Sequence, residues 1–321
     1  MRLRALAISN DPIAEEAAVA QLGQGGSAVG AVLAGFFAAA GGYSGVLLSP
    51  LTILVAGIGA GGRAFDGRLR QPGLGTKRPR GFLPDETIPS AARVAVPGSV
   101  AAAAVANAYD GAKSLGSLVK HGILRAERAG ADARAEVLGR VRSLGQTAFA
   151  EQSFSRPFLR VAGPSEGGLV TPSDLTNVTD IDHAASVRSV AGSDFLEAPW
   201  SDAATSEPLP RELGIGAAVC AVDVRGVFAA AAYYRPSDGL EIDDLALLAP
   251  FVAVPTQRGV PRQTPGSPLP APAPIAVRCN EGGVPVEVCA EPGARGLNFG
   301  NPPRLSIVRD PVTREVTSQR R

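Results

Sequence analysis

Few residues here carry chemistry, and their spacing narrows what it is. Asp180, Asp182 and His183 stand close enough to suggest an acid–base or metal site, although a solvated loop with a surface histidine is the plainer reading. His121 falls on a helix face with no partner in the pattern and reads as structural. Asp238, Glu241, Asp243 and Asp244 form an acidic group, but a calcium loop needs regular ligand spacing, and a solvated turn fits better. Gly57–Gly62 has the composition of a phosphate cradle without the GK[ST] ending that gives such loops their lysine. Cys220, Cys279 and Cys289 are odd in number and lack CxxC spacing, which argues against zinc or a disulfide framework. They read as buried free thiols, with a Cys279–Cys289 bridge the alternative in an exported chain. Thr205 or Ser206 serves as a nucleophile only if the chain cuts itself nearby.

The elements that must position these residues follow from composition. The 321 residues suffice for one large α/β domain or two modest ones. Apolar residues make up 45%, mostly Ala and Val, and the 38 glycines suit a core of closely approaching backbones. With 31 basic and 30 acidic residues, no global charge favours nucleic acid or an anionic membrane. Residues 1–20 contain Asn10, Asp11, Glu15 and Glu16 and no uninterrupted apolar run, so no secretory signal is read and the cytoplasm is the default. Ala17–Gly62 lacks any Asp, Glu, Lys or Arg, but Gln21, Gln24, Ser27, Ser44, Ser49 and Pro50 break it into pieces shorter than a membrane span. A buried helix followed by a buried strand is the reading adopted.

The pattern predicts a helix over Asp11–Leu22, capped by Asp11 with Pro12 in its first turn. A central helix follows over Ser27–Ala40, then a strand over Val46–Val55 and a glycine turn. A surface loop over Arg70–Pro89 leads to a short strand at Arg93–Val96. Helices are predicted over Ser99–Tyr109, capped by Ser99, and over Ala112–Ala129 and Ala131–Phe149. Asp174–Ser201 is poorly patterned, and Ser201–Arg211 reads as a linker. Hairpins follow at Gly216–Val224 with Val227–Tyr234, and at Ile275–Arg278 with Val284–Cys289, separated by a proline-rich loop. Residues 1–211 thus form a helix-rich part and 212–300 a strand-rich part. The polar tail 301–321 is expected to fray, and the whole to be one cooperative domain.

Five short motifs occur in order: Gly25–Gly26–Ser27–Ala28–Val29, Gly57–Ile58–Gly59–Ala60–Gly61–Gly62, Asp66–Gly67–Arg68, Val96–Pro97–Gly98, and Gly168–Leu169–Val170–Thr171 followed by Asp174–Leu175. Further on stand Gly216–Ala217–Ala218–Val219, Pro268–Leu269–Pro270–Ala271 and Pro292–Gly293–Ala294. In order and type these segments resemble those of the gamma-glutamyltranspeptidase family, with a much shorter block between Leu175 and Gly216. The resemblance implies an α+β fold, the four-layer αββα sandwich of N-terminal-nucleophile hydrolases, reduced in size.

In that family a threonine cuts its own peptide bond and then acts as nucleophile, with its new α-amine as base. The position it aligns with is Gly216, which has no side chain. Ala217 and Ala218 replace a threonine and a histidine, and Pro270 and Ala271 replace the serine pair that holds the substrate carboxylate. Of the oxyanion glycine pair only Gly293 remains. Arg68 matches the substrate-binding arginine, with Leu69 in place of its glutamate. The resemblance therefore implies a pseudoenzyme with no catalytic residue and no cofactor or metal. Arg68 and Gly293 are the ligand-binding candidates for a gamma-glutamyl or amino-acid-like molecule, and a protein partner or homo-oligomer is expected. The rivals are an active gamma-glutamyl transferase or hydrolase with a displaced nucleophile, and a membrane-associated structural protein.

Overall fold

Two stretches of small residues, Ala28–Gly42 and Ala229–Ala232, set how closely the layers of this molecule approach one another. The computed structural model describes residues 4–59, 61–77, 81–201, 211–299 and 301–321. In chain order these form β1 (Leu6–Ser9), α1 (Pro12–Gly23), α2 (Ala28–Gly42), β2 (Leu51–Ala56), β3 (Gly62–Gly67), α3 (Ser99–Asp110), α4 (Leu115–Arg128), α5 (Asp132–Leu144), α6 (Gln152–Ala162) and α7 (Pro172–Thr176). Then come β4 (Asp182–Ala184), β5 (Ser186–Val190), β6 (Ser193–Glu197), β7 (Ile215–Val222), β8 (Phe228–Arg235), β9 (Leu240–Ile242), β10 (Leu247–Ala249), β11 (Ile275–Cys279), β12 (Pro285–Ala290), β13 (Leu305–Arg309) and β14 (Val316–Arg320).

Two six-stranded sheets, ordered β1-β7-β8-β2-β3-β4 and β14-β13-β12-β11-β6-β5, stack face to face. The first sheet is buried on both sides. On β7, Ala217, Val219 and Ala221 face the helices, while Ala218, Cys220 and Val222 face the second sheet. Strands covered on both faces read as unbroken apolar runs, which explains why β7 and β8 show little alternation. The expected α+β sandwich is present. Its reduction falls on the outer face of the second sheet, where a small cluster of Ala276, Cys289 and Leu297 with Phe195 and Phe299 contains no helical residue.

Central helix α2 is buried from Ala28 to Gly41 and capped by Ser27, whose Oγ accepts from Gly30 N. It meets α4 backbone to backbone. A Cβ on Gly41 would lie 2.0 Å from Gly122 O, and one on Gly122 2.3 Å from Phe37 O. Asp11 caps α1 as predicted, accepting from Ile13 N. Among the described residues no helix is long and apolar enough to cross a membrane.

Several predicted elements differ. Residues 46–48 form a 3-10 turn, and the strand starts only after Pro50, whose missing N–H suits a strand's beginning. Gly98 occupies the cap position of α3; Ser99 is its first residue, and its hydroxyl donates to Leu47 O at 2.5 Å. Arg93–Val96 makes isolated bridges, Val94 to Phe251 and Val96 to Arg70, instead of a strand. Helix α6 was hidden by Pro157 inside it, although Phe154, Phe158 and Ala162 recur at helical spacing and are buried. Asp174–Ser201, unpatterned in sequence, supplies β4, β5 and β6. The tail is not frayed: β13 and β14 complete the second sheet, with Leu305 and Ile307 facing its core. The two sequence parts share both sheets, since β1 pairs with β7 and β2 with β8 in the first, and β6 with β11 in the second.

The close approach of α2 and α4 makes a test. Gly122→Ala should lose about 1–3 kcal/mol through overpacking. Gly139→Ala, in α5 with nothing within 4 Å of its Cβ, should gain about 0.8–1 kcal/mol from helix propensity. Urea melts of both variants check the pair.

Candidate functional site

The positions singled out by resemblance lie at one end of the cleft between the sheets. Gly216 pairs with Tyr234. Leu51 lies between Tyr233 and Gly67, so one residue further along, Tyr234 and Arg68 continue the row that Gly216 begins. Alternation along each strand turns Gly216 and Tyr234 to the face of Ala218 and Ala232, toward the second sheet.

At Gly216 the backbone is pinned and crowded. Asn10 Nδ2 donates to Gly216 O at 3.1 Å, its Oδ1 accepts from Ala218 N at 2.9 Å, and Ser9 Oγ donates to Ala218 O at 2.7 Å. A Cβ built on Gly216 would lie 2.5 Å from Gly293 N and 2.9 Å from Gly293 Cα. The structure thus brings Gly216 and Gly293 together, and the space for a nucleophilic side chain is filled by backbone. Ile215, just before Gly216, is itself paired with Arg235, so the bond preceding Gly216 lies within a hydrogen-bonded strand. The nearest thiol along the strand, Cys220, is wholly buried, and burial pushes it up to about 12, far from a thiolate at neutral pH.

The rest of the row is occupied by side chains that bond one another. Tyr234 Oη donates to Pro272 O at 2.7 Å, and burial raises its pKa. Trp200 Nε1 donates to Thr52 Oγ1 at 3.1 Å, and the Arg68 guanidinium stacks 4.6 Å from the Trp200 ring centroid. Arg68 also grips Asp66 bidentately, Nε to Oδ1 at 3.0 Å and Nη2 to Oδ2 at 2.9 Å. Arg70 Nη1 donates to Asp66 Oδ2 at 3.0 Å from a buried position. Burial works to raise the Asp66 carboxyl, but the Arg68 hydrogen bonds and the charges of Arg70 and Arg68 outweigh it, holding the carboxyl below its usual range. One edge of Arg68 is therefore spent on Asp66; its Nη1 makes no hydrogen bond among the described residues. The proline-rich segment closes the mouth: Leu269 N donates to Leu69 O at 2.8 Å, and Pro270 and Ala271 bring no hydroxyl.

The remaining sequence candidates scatter. Asp182, on β4, pairs with Arg63 at 2.8 and 2.5 Å, and His183 Nε2 lies 2.8 Å from Asp180 O with its ring edge-on to Trp200. His121 lies in a groove with Ile13 and Glu16, its pKa lowered by burial and then by Lys120 and Lys113. Asp244 pairs with Arg160, and Asp238, Glu241 and Asp243 lie around β9 and the turn after it. Gly57–Gly62 is a strand-to-strand turn with positive φ at Gly57, Gly59 and Gly61; Ala60 lies outside the described residues, as do Thr205 and Ser206. The three cysteines are free, and no group of three or more metal-ligating side chains comes together among the described residues. Sequence reasoning named Asp66 only as part of a motif, not as the partner of Arg68, and missed Trp200 and Tyr234. Two signals were available, the alternation Asp66–x–Arg68–x–Arg70 and the single tryptophan of the chain.

Asp66 gives a test. Its native pKa lies below the unfolded value of about 3.9, so its contribution is complete above that pH and is lost as pH falls through the lowered native value. Asp66→Asn should cost about 3–5 kcal/mol near neutrality by leaving two arginines uncompensated. It should also flatten the acid limb of stability against pH, read from urea midpoints between pH 3 and 7.

No protein-family model matches the sequence, and no curated protein matches it. Solved structures do. A variant of LmbA2991 superposes with a TM-score of 0.71 at 14% identity, over 98% of this chain and 96% of that one. A second LmbA2991 structure gives 0.63 at 15%, over 88% and 77%. A cephalosporin acylase from Bacillus halodurans gives 0.68 at 13%, over 99% and 94%. With its two stacked antiparallel sheets and helical layer, the chain shares the α+β sandwich fold of LmbA2991 and the cephalosporin acylase.

Proposed function

We propose that this chain is a catalytically inactive, gamma-glutamyltranspeptidase-like pseudoenzyme that works by binding. Its roles are those of a subunit in a protein complex, a self-associating copy, or a holder of a small amino-acid-derived ligand through the remaining edge of Arg68. One observation carries the reading: at Gly216, the position that the motif resemblance gives to the nucleophile, the Gly293 amide stands 2.5 Å from where a Cβ would be. An N-terminal nucleophile needs a hydroxyl or thiol on a freed α-amine, and Gly216 offers neither the atom nor the room. At the mouth of the cleft Tyr234 is bonded to the Pro272 carbonyl, Trp200 to Thr52, and Leu269 N to the Leu69 carbonyl, so these polar groups are already taken.

Intact-mass measurement of the purified protein after long incubation at neutral pH tests this. The expected result is one species at full chain mass, with no release from a gamma-glutamyl anilide. Two fragments summing to the whole would overturn the proposal, and the new N-terminus would name the nucleophile. Gly216→Thr should remain uncut and lose stability, because its Cβ must displace the 292–293 backbone; thermal melts and intact mass of that variant report both.

A further inference from the structure

The outer face of the second sheet holds a cavity of about 330 Å³, within the range of about 300–1,000 Å³ usual for small-molecule sites. Register sets Phe195, Arg278 and Glu287 side by side on its floor. Leu297 and Phe299 line its other side, with the Phe299 ring centroid 4.4 Å from that of Phe195. Arg278 Nε donates to Glu287 Oε2 at 2.8 Å, with the two side chains 32% and 16% exposed. Beyond that bond neither makes another hydrogen bond among the described residues. Two terminal guanidinium nitrogens and a carboxylate oxygen are therefore presented together beside an aromatic wall.

We infer that this cavity binds a free α-amino acid with an aromatic side chain. The charge pattern selects the class. A lone anion reaching Arg278 also meets Glu287, and a lone cation reaching Glu287 meets Arg278. A zwitterion answers both at once, its carboxylate on the open edge of Arg278 and its ammonium on Glu287. A ring beside Phe195 and Phe299 takes the tilted aromatic contacts already favoured there. Val277 and Val288, the neighbours of Arg278 and Glu287 along their strands, face the inter-sheet core. The site thus lies on the opposite face of the sheet from the Gly216 cleft and does not rest on the inactive reading.

Calorimetric titration of the full chain with L-phenylalanine, phenylacetate and phenethylamine tests it. L-phenylalanine should bind saturably, and each single-charge analogue at least about tenfold more weakly, the loss of one hydrogen-bonded charge. Arg278→Met and Phe299→Ala should each weaken L-phenylalanine by at least about tenfold while circular dichroism shows the fold kept. Should Arg278→Met fail to fold, Phe299→Ala, in the loop before β13, decides. No heat with millimolar L-phenylalanine, equal binding of phenylacetate, or unchanged affinity in Phe299→Ala would each overturn the assignment.

Discussion

Burial of the first sheet on both faces is the constraint from which the rest follows. Helices cover one side and the second sheet the other, so β7 and β8 have no face left for polar side chains. Their Ala and Val residues keep both layers close, and the same closeness forces Gly41 and Gly122 where α2 meets α4. Polar groups are consequently confined to the ends of the strands. That is why Asn10, Asp66, Arg68 and Tyr234 all cluster at or beyond strand termini. Any chemistry in the inter-sheet cleft has to be done there.

At that end the strongest electrostatic arrangement is turned inward. Asp66 is buried between two arginines, and neither cation is left with its full hydrogen-bonding capacity. A buried carboxylate is tolerated only when paired and hydrogen-bonded, so Arg68 serves first to neutralise Asp66. Its stacking on Trp200, which in turn holds Thr52, ties the 198–201 segment to the centre of the first sheet. The grouping resembles a binding site in its residue types and works as a brace in its bonding.

The sequence disclosed much of this and concealed the rest for physical reasons. The N-capped α1, the all-apolar α2 and both predicted hairpins carried strong local signals, and ordered short motifs disclosed the fold. The β4–β6 region did not, because its strands are short and largely exposed, and exposed strands have no apolar alternation to detect. The tail misled for a similar reason: β14 is buried only at Val316, and its polar residues lie on an exposed edge. Of the candidate site, Gly216, Gly293 and Arg68 were named from motif order; Gly216 and Arg68 fall on one row across the first sheet, with Gly293 packed against Gly216. Trp200 and Tyr234 were not, since their role depends on register between strands far apart in sequence.

The Gly216–Gly293 contact also bears on how this end of the cleft is held closed. A space the size of a side chain left empty beside Gly216 would be a cavity, and cavities in close-packed interiors are costly. Instead the 292–293 backbone occupies that place, Asn10 fixes the strand at Gly216 and Ala218, and Tyr234 fastens the Pro272 carbonyl across the mouth. These contacts support one another. Gly293 can approach because residue 216 has no Cβ, and the proline-rich segment is held by the Tyr234–Pro272 and Leu269–Leu69 hydrogen bonds. Any side chain placed at residue 216 would meet the Gly293 backbone, so the glycine is a requirement of the packing at this end of the cleft.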